Sequence, residues 1–205
     1  MEKKHIALVS GSGRNASHSL RIAHWLASRL AHLDKGTTCD VIDLGGHKLP
    51  QWDEAAWDET SALAKQWKLY SARLAAAHGL VLITPEWAGM ACPELKNFLV
   101  FCSEKDVGHK PALLVGVSSG RGGSNPISEL RISGYKNNRI CYMPEHLIVR
   151  DVENMFVEEK PSGREDAFTR SRADFALLQL LAYSSALKQA RDSGALANDK
   201  FPFGM

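Results

Sequence analysis

Val9-Ser10-Gly11-Ser12-Gly13-Arg14-Asn15-Ala16-Ser17-His18-Ser19 is the stretch on which the fold turns. The apolar run that leads into it, His5-Ile6-Ala7-Leu8-Val9, reads as a buried strand. Beyond it, Leu20, Ala23, Leu26, Ala27 and Leu30 recur at the spacing of one helix face. A loop of glycines, hydroxyls and one arginine thus joins a strand end to a helix start. Unpaired backbone N–H groups and the positive end of a helix dipole meet there, and anions bind readily at such places. The composition suits a phosphate.

Strand and helix signals alternate along the rest of the chain. Residues 39–44 are expected as a second strand, with a loop from Gly45-Gly46 through Trp52. Residues 60–77, rich in Ala, Leu and Lys, are expected as a helix stopped by Gly79. Residues 80–84 are apolar throughout, as in a strand covered by helices on both faces. Pro93 suits the first turn of a helix carrying Leu95, Phe98, Leu99 and Cys102. A fourth strand is expected over 112–117, a short helix over 127–134, and a last strand from 140–143 and 147–149. The polar stretch 150–164 reads as a surface loop. A long helix from Glu165 to about Ser193 follows, with Phe168, Phe175, Leu178 and Leu181 expected on its apolar side. Such alternation implies an α/β three-layer sandwich around a five-stranded parallel sheet. Residues 1–195 are expected to form a single domain, and 196–205 a weakly ordered tail.

Bulk properties narrow the function classes. The 205 residues can bury a full core, and 44% hydrophobic with 23% charged residues is ordinary for a globular chain. A net charge of +2 gives no electrostatic case for nucleic acid or a membrane surface. No stretch is long and apolar enough to span a bilayer. Cys39, Cys92, Cys102 and Cys141 show no CxxC or Cys/His ligand spacing, and the 8 histidines show none either. No metal is expected, and the thiols read as free. The first apolar run breaks at Ser10-Gly11, too soon for a signal peptide, so a cytoplasmic location is expected.

Three loops with unusual chemistry follow strand ends: 11–19, then 84–93 (Thr84-Pro85-Glu86-Trp87-Ala88-Gly89-Met90-Ala91-Cys92-Pro93), then 118–124 (Ser118-Ser119-Gly120-Arg121-Gly122-Gly123-Ser124). A flavodoxin-like strand order, 2-1-3-4-5, sets the first two side by side at its switch point, where that fold takes FMN. The first loop also matches the dinucleotide fingerprint G-x-G-x-x-A, with Asp43 as the acidic ribose partner. Asp43 lies 27 residues past Ala16, against the usual spacing of roughly 20. The hydroxyls of Ser12, Ser17 and Ser19 beside Arg14 suit a terminal monophosphate better than a bridging pyrophosphate. Ser17 also reads as a plain helix N-cap. In the second loop, irregular backbone from Pro85 to Cys92 would leave groups free to bond a planar heterocycle. Cys92 has no partner cysteine and is not read as a redox thiol. Glycines in the third loop permit close approach to a flat ligand.

Taken together, Gly11-Ser12-x-Arg14-x-x-Ser17, Thr84-Pro85-Glu86-Trp87-x-Gly89 with Leu95-Lys96-Asn97, and Ser118-x-Gly120-x-x-Gly123 with Leu130-Arg131 resemble the NADPH-dependent FMN reductase family. That flavodoxin-like group includes quinone, azo-dye and chromate reductases. The resemblance implies that Ser12, Arg14, Ser17 and Ser19 hold the FMN phosphate. It implies that Pro85, Glu86, Trp87, Ala88 and Gly89 border the isoalloxazine ring, largely through backbone groups, while Ser119, Gly120, Gly122 and Gly123 line its pyrimidine side. The chain departs from the family pattern at Ser19, commonly Asn, at Trp87-Ala88, commonly Tyr-Asn, and at Met90, commonly Ser.

The implied activity is hydride transfer from NADPH or NADH through FMN to a quinone, azo compound, free flavin or similar acceptor. The cofactor would carry the chemistry, so no side chain is expected to be catalytic. Arg121 is a candidate partner for the phosphates of the nicotinamide nucleotide. A homodimer or homotetramer is implied, with the helix after Pro93 and Trp52 or Trp57 offering contact surface. An electron-carrier flavodoxin is disfavoured by Arg14 and the slight positive charge, and a Rossmann dehydrogenase by the short chain. A non-enzymatic flavin-binding or regulatory module is the competing alternative.

Overall fold

The computed structural model describes residues 3–197. Its strands are β1 (His5–Ser10), β2 (Thr38–Asp43), β3 (Gly79–Trp87), β4 (Met90–Ala91), β5 (Pro111–Val117) and β6 (Cys141–Val149). Its α-helices are α1 (His18–Leu33), α2 (Ala62–Ala76), α3 (Pro93–Phe101), α4 (Glu104–Val107), α5 (Asn125–Arg131) and α6 (Arg164–Asp192). Five parallel strands run in the order β2-β1-β3-β5-β6, which is the expected flavodoxin-like topology. The two-residue β4, not expected from the sequence, adds to β3 as an antiparallel hairpin arm. Leu196 and Ala197 stay in a turn after α6, Ala197 N donating to Gly194 O; the rest of the expected tail, 198–205, lies outside the described residues.

Side-chain alternation sorts the strands onto two cores. Ile6, Leu8, Val81, Ile83, Leu113 and Val115 face α1 and α6, which answer with Ile22, Leu26, Leu30, Leu177 and Leu180. Their neighbours Ala7, Val9, Leu80, Leu82, Ala112 and Leu114 pack on the opposite face with Leu74 of α2, Phe98 of α3 and Leu130 of α5. Because β1 lies between β2 and β3, the chain leaves the sheet in opposite directions from β1 and β3. A crevice opens at their carboxyl ends.

Two expectations fail for reasons of packing. On α6, Phe168, Phe175 and Leu178 are exposed, and of the expected apolar side only Leu181 is buried. The face turned inward carries Ala173, Ala176, Leu177, Leu180 and Ser184. Small residues let this helix approach closely: a Cβ on Gly79 would lie 2.4 Å from Ser184 Oγ. Aromatics do not fit such a gap, so Phe168 and Phe175 take the outer side while leucines and small residues pack inward.

Nor is 150–164 a plain surface loop. Val152, Met155 and Phe156 are buried in the core, and Phe156 stacks on Trp25 with ring centroids 4.1 Å apart. Asp166, 2% exposed, ties this segment down by accepting from Phe156 N (3.1 Å) and Ser162 N (3.0 Å) and by pairing with Arg170 (3.1 Å). Burial raises its pKa, but Arg170 and the two amides outweigh that and hold the carboxyl below the usual range. Its contribution to stability is therefore present above the unfolded pKa and is lost as pH falls through the lower folded value. Asp166→Ala is expected to cost about 3 kcal/mol, since it takes away the counter-ion of a half-buried Arg170, left with the Glu158 and Glu159 carbonyls, and strips the amides of Phe156 and Ser162 of their acceptor. Urea unfolding at neutral pH measures this, and the gap between wild type and variant should narrow on acidification.

Candidate cofactor site

At the carboxyl ends of β1, β3 and β5 the three glycine-bearing loops meet around one small cavity. Its wall holds Ser12, Arg14, Ser17 and Ser19 from the first loop, Pro85, Glu86 and Trp87 from the second and Ser119 from the third. His18, Val117, Ser118 and Val152 complete it. Ala88, Gly89, Gly120, Gly122 and Gly123 belong to the same loops but do not line the cavity. A volume of about 90 Å³ suits an anionic group. It is well under the roughly 300–1,000 Å³ of a whole small-molecule site. A larger groove of about 1010 Å³ lies elsewhere, among Trp52, Trp57, Trp67 and Phe101, with the carboxylates of Glu104 and Asp106 in its wall.

The first loop is held by contacts that only glycine permits. Gly11 N donates to Ile83 O at 2.7 Å, and a Cβ on Gly11 would lie 2.7 Å from that oxygen and 2.8 Å from Leu95 Cβ. Ser17 caps α1, its Oγ accepting from Leu20 N at 3.1 Å; Ser12 Oγ accepts from Arg14 N at 3.3 Å. Each hydroxyl keeps its own proton to donate. Ser12, Ser17 and Ser19 are buried, whereas Arg14 is exposed, and its guanidinium has no partner among the described residues. Three hydroxyls, one cation and the first amides of α1 form a donor set for a multiply charged oxyanion. Asp43, the acidic ribose partner of the dinucleotide reading, does not line the cavity; its carboxylate accepts from Gly45 N and Gly46 N at 3.1 and 3.0 Å and shapes the turn after β2.

The second loop is more ordered than its sequence suggests. β3 continues through Pro85 and Glu86 to Trp87, then turns at Ala88 (φ 49°) and Gly89 (φ 73°) into β4. Two left-handed residues make the tight hairpin turn favoured between twisted strands. Backbone groups expected to be free are therefore paired. Ala91 N donates to Glu129 Oε2 at 2.6 Å, and Cys92 N to Thr84 Oγ1 at 3.1 Å. Trp87 is half-buried and Met90 is exposed at the hairpin tip. Burial, and then the bond from its Sγ to Glu94 Oε2 (2.6 Å), pushes the Cys92 thiol up to about 12, which leaves no thiolate at neutral pH.

Residues 150–152 brace the third loop. Val152 N donates to Ser118 O and Asp151 N to Gly120 O, both at 3.1 Å, while Arg150 Nε donates to Arg121 O (2.7 Å) and Gly122 O (3.1 Å). Gly123 N donates to Glu86 Oε2 across the site. Reading the sequence missed His18 and Val152 as wall residues. His18 directly follows the N-cap, and Val152 opens an apolar trio, Val152, Met155 and Phe156, inside a polar stretch.

The family model described as NADPH-dependent FMN reductase matches residues 5–153. The chain belongs to that family. As a member it is an oxidoreductase that works with FMN and NAD(P)H. The match takes in all three loops. A 2-hydroxy-1,4-benzoquinone reductase from a Burkholderia species is 33% identical over 152 residues, 71% of this chain and 79% of the relative. An NADPH azoreductase from a Bacillus species is 26% identical over 190 residues, covering 91% of this chain and 96% of the relative. Among solved structures, an oxidoreductase from Corynebacterium diphtheriae superposes with a TM-score of 0.70 at 18% identity, over 91% of this chain and 99% of that one. This last likeness bears on the fold alone. Among the described residues no helix is long and apolar enough to cross a membrane.

Proposed function

We propose that the three-loop crevice is the FMN site of this enzyme and that it reduces a quinone or a similar small acceptor at the expense of NAD(P)H. The observation that carries this reading is the common wall built by Ser12, Arg14, Ser17, Glu86, Trp87 and Ser119, which are far apart in sequence. Ser12, Arg14, Ser17 and Ser19 would hold the phosphate, which needs several donors at once and finds them there. Pro85, Glu86, Trp87, Ala88 and Gly89 would border the ring on one side, and Ser119, Gly120, Gly122 and Gly123 on the other. FMN, when bound, supplies the two-electron chemistry. The chain's own part is to grip the phosphate, present Trp87 and the hairpin to the ring, and leave room for nucleotide and acceptor in turn. Quinones head the acceptor list because the Burkholderia relative is named for one.

The test is direct. The purified protein should bind FMN and release it on denaturation, and NADPH oxidation should accelerate on adding benzoquinone. A chain that neither carries nor takes up FMN would end this reading. Arg121, exposed on the third loop, would attract the nucleotide's phosphates. Arg121→Ala should raise KM for NADPH roughly fivefold, the ~1 kcal/mol of one exposed charge pair, with kcat unchanged. We also infer a homo-oligomer in the cytoplasm. Trp57 and Val100, 77% and 59% exposed beside the large groove, offer apolar surface to a second copy. Light scattering of the purified protein reads its mass.

A further inference from the structure

Glu86 stands one residue before the end of β3 and lines the cavity, yet its carboxylate reaches across to the third loop. Oε2 accepts from Gly123 N, and Oε1 lies 3.4 Å from Asn125 Nδ2. A Cβ on Gly122 would come within 2.9 Å of Oε1, so the glycine turn is moulded around this carboxylate. Gly123 itself is buried, at φ +100°, and its carbonyl presses on Gly116. An amide buried at such a bend has no strand or helix to pair with and needs an acceptor from elsewhere. Glu86 provides it.

We propose that Glu86 is a positioning residue, whose carboxylate latches the 120–123 turn into the shape that receives the cofactor. This rests on the FMN reading above and gives the side chain a task that its backbone does not perform. Removing the acceptor would leave Gly123 N–H buried and unpaired, and the turn would relax to find water. The charge itself is not what the latch requires. A neutral amide oxygen at the same place can accept the same bond.

The experiment compares wild type, Glu86→Ala and Glu86→Gln by FMN titration, followed by flavin fluorescence, and by amide exchange at Gly123 in the flavin-free protein. Glu86→Ala should weaken FMN binding about tenfold or more and speed Gly123 exchange, with circular dichroism unchanged. Glu86→Gln should restore affinity to within about threefold of wild type and return the exchange rate to its level. Glu86→Ala binding as tightly as wild type, or Glu86→Gln failing as badly as Ala, would overturn the latch. Unchanged Gly123 exchange in Glu86→Ala would overturn it too. Failure of wild type to bind FMN is read in its own arm and overturns the functional reading, while the exchange measurement still decides whether Glu86 holds the turn.

Discussion

Arg14→Ala combined with Ser17→Gly is expected to lower FMN affinity by roughly 100-fold while leaving the much weaker binding of riboflavin untouched. Two donors to an anionic oxygen are lost, each contributing about 1.5 kcal/mol, the low end for a bond to a charged group because Arg14 is exposed. Arg14 is free to serve, being exposed and without a partner among the described residues. Ser17 is more delicate because its oxygen also caps α1 through Leu20 N. Glycine is chosen there since Ser to Gly costs an N-cap only a few tenths of a kcal/mol, against about 1 for alanine. A loss confined to FMN therefore reports the phosphate contact. Parallel titrations with FMN and riboflavin measure it, and the FMN advantage should also shrink with added salt in wild type. Equal losses for both ligands would mean that the first loop does not meet the phosphate.

Gly116→Ala should be the most damaging single methyl in the molecule's functional half. A Cβ there would sit 2.0 Å from Gly123 O and 3.0 Å from Gly123 C, both backbone atoms that no rotamer change can move. Gly123 has nowhere to retreat. Its amide is on Glu86, and Ile148 Cγ2 lies 2.7 Å from where its own Cβ would be. Overpacking of this kind costs about 1–3 kcal/mol or more. The third loop should lift and FMN binding fall with it. Gly120→Ala is the matched control, because a Cβ at Gly120 meets nothing within 4 Å. Thermal unfolding of the two variants should differ sharply; similar midpoints would show that the 118–124 loop is not packed as described.

The order of strands and helices could be read from the chain because it rests on short-range regularities: apolar runs, helical spacing, and Pro93 in the first turn of α3. Gly79, expected to stop α2, instead opens β3, and α2 ends at Ala76 with Ala77 as its cap. The first loop was legible for the same reason, as its residues are neighbours in sequence and a cap such as Ser17 acts on Leu20, three positions on. The second loop misled because pairing of Glu86 with Ala91 and Trp87 with Met90 leaves no period in so short a stretch. On α6 the expected aromatic face turned outward, because the close approach to Gly79 is made by Ser184 and Leu180 and leaves no room for a ring. Local sequence thus determined the elements, their order and the cluster of hydroxyls beside Arg14 in one turn. Which faces are buried, that Val152 walls the cavity, and that Glu86 answers Gly123 were decided only by tertiary packing. Those contacts join residues that no local pattern links, and only close packing of the folded chain brings them together.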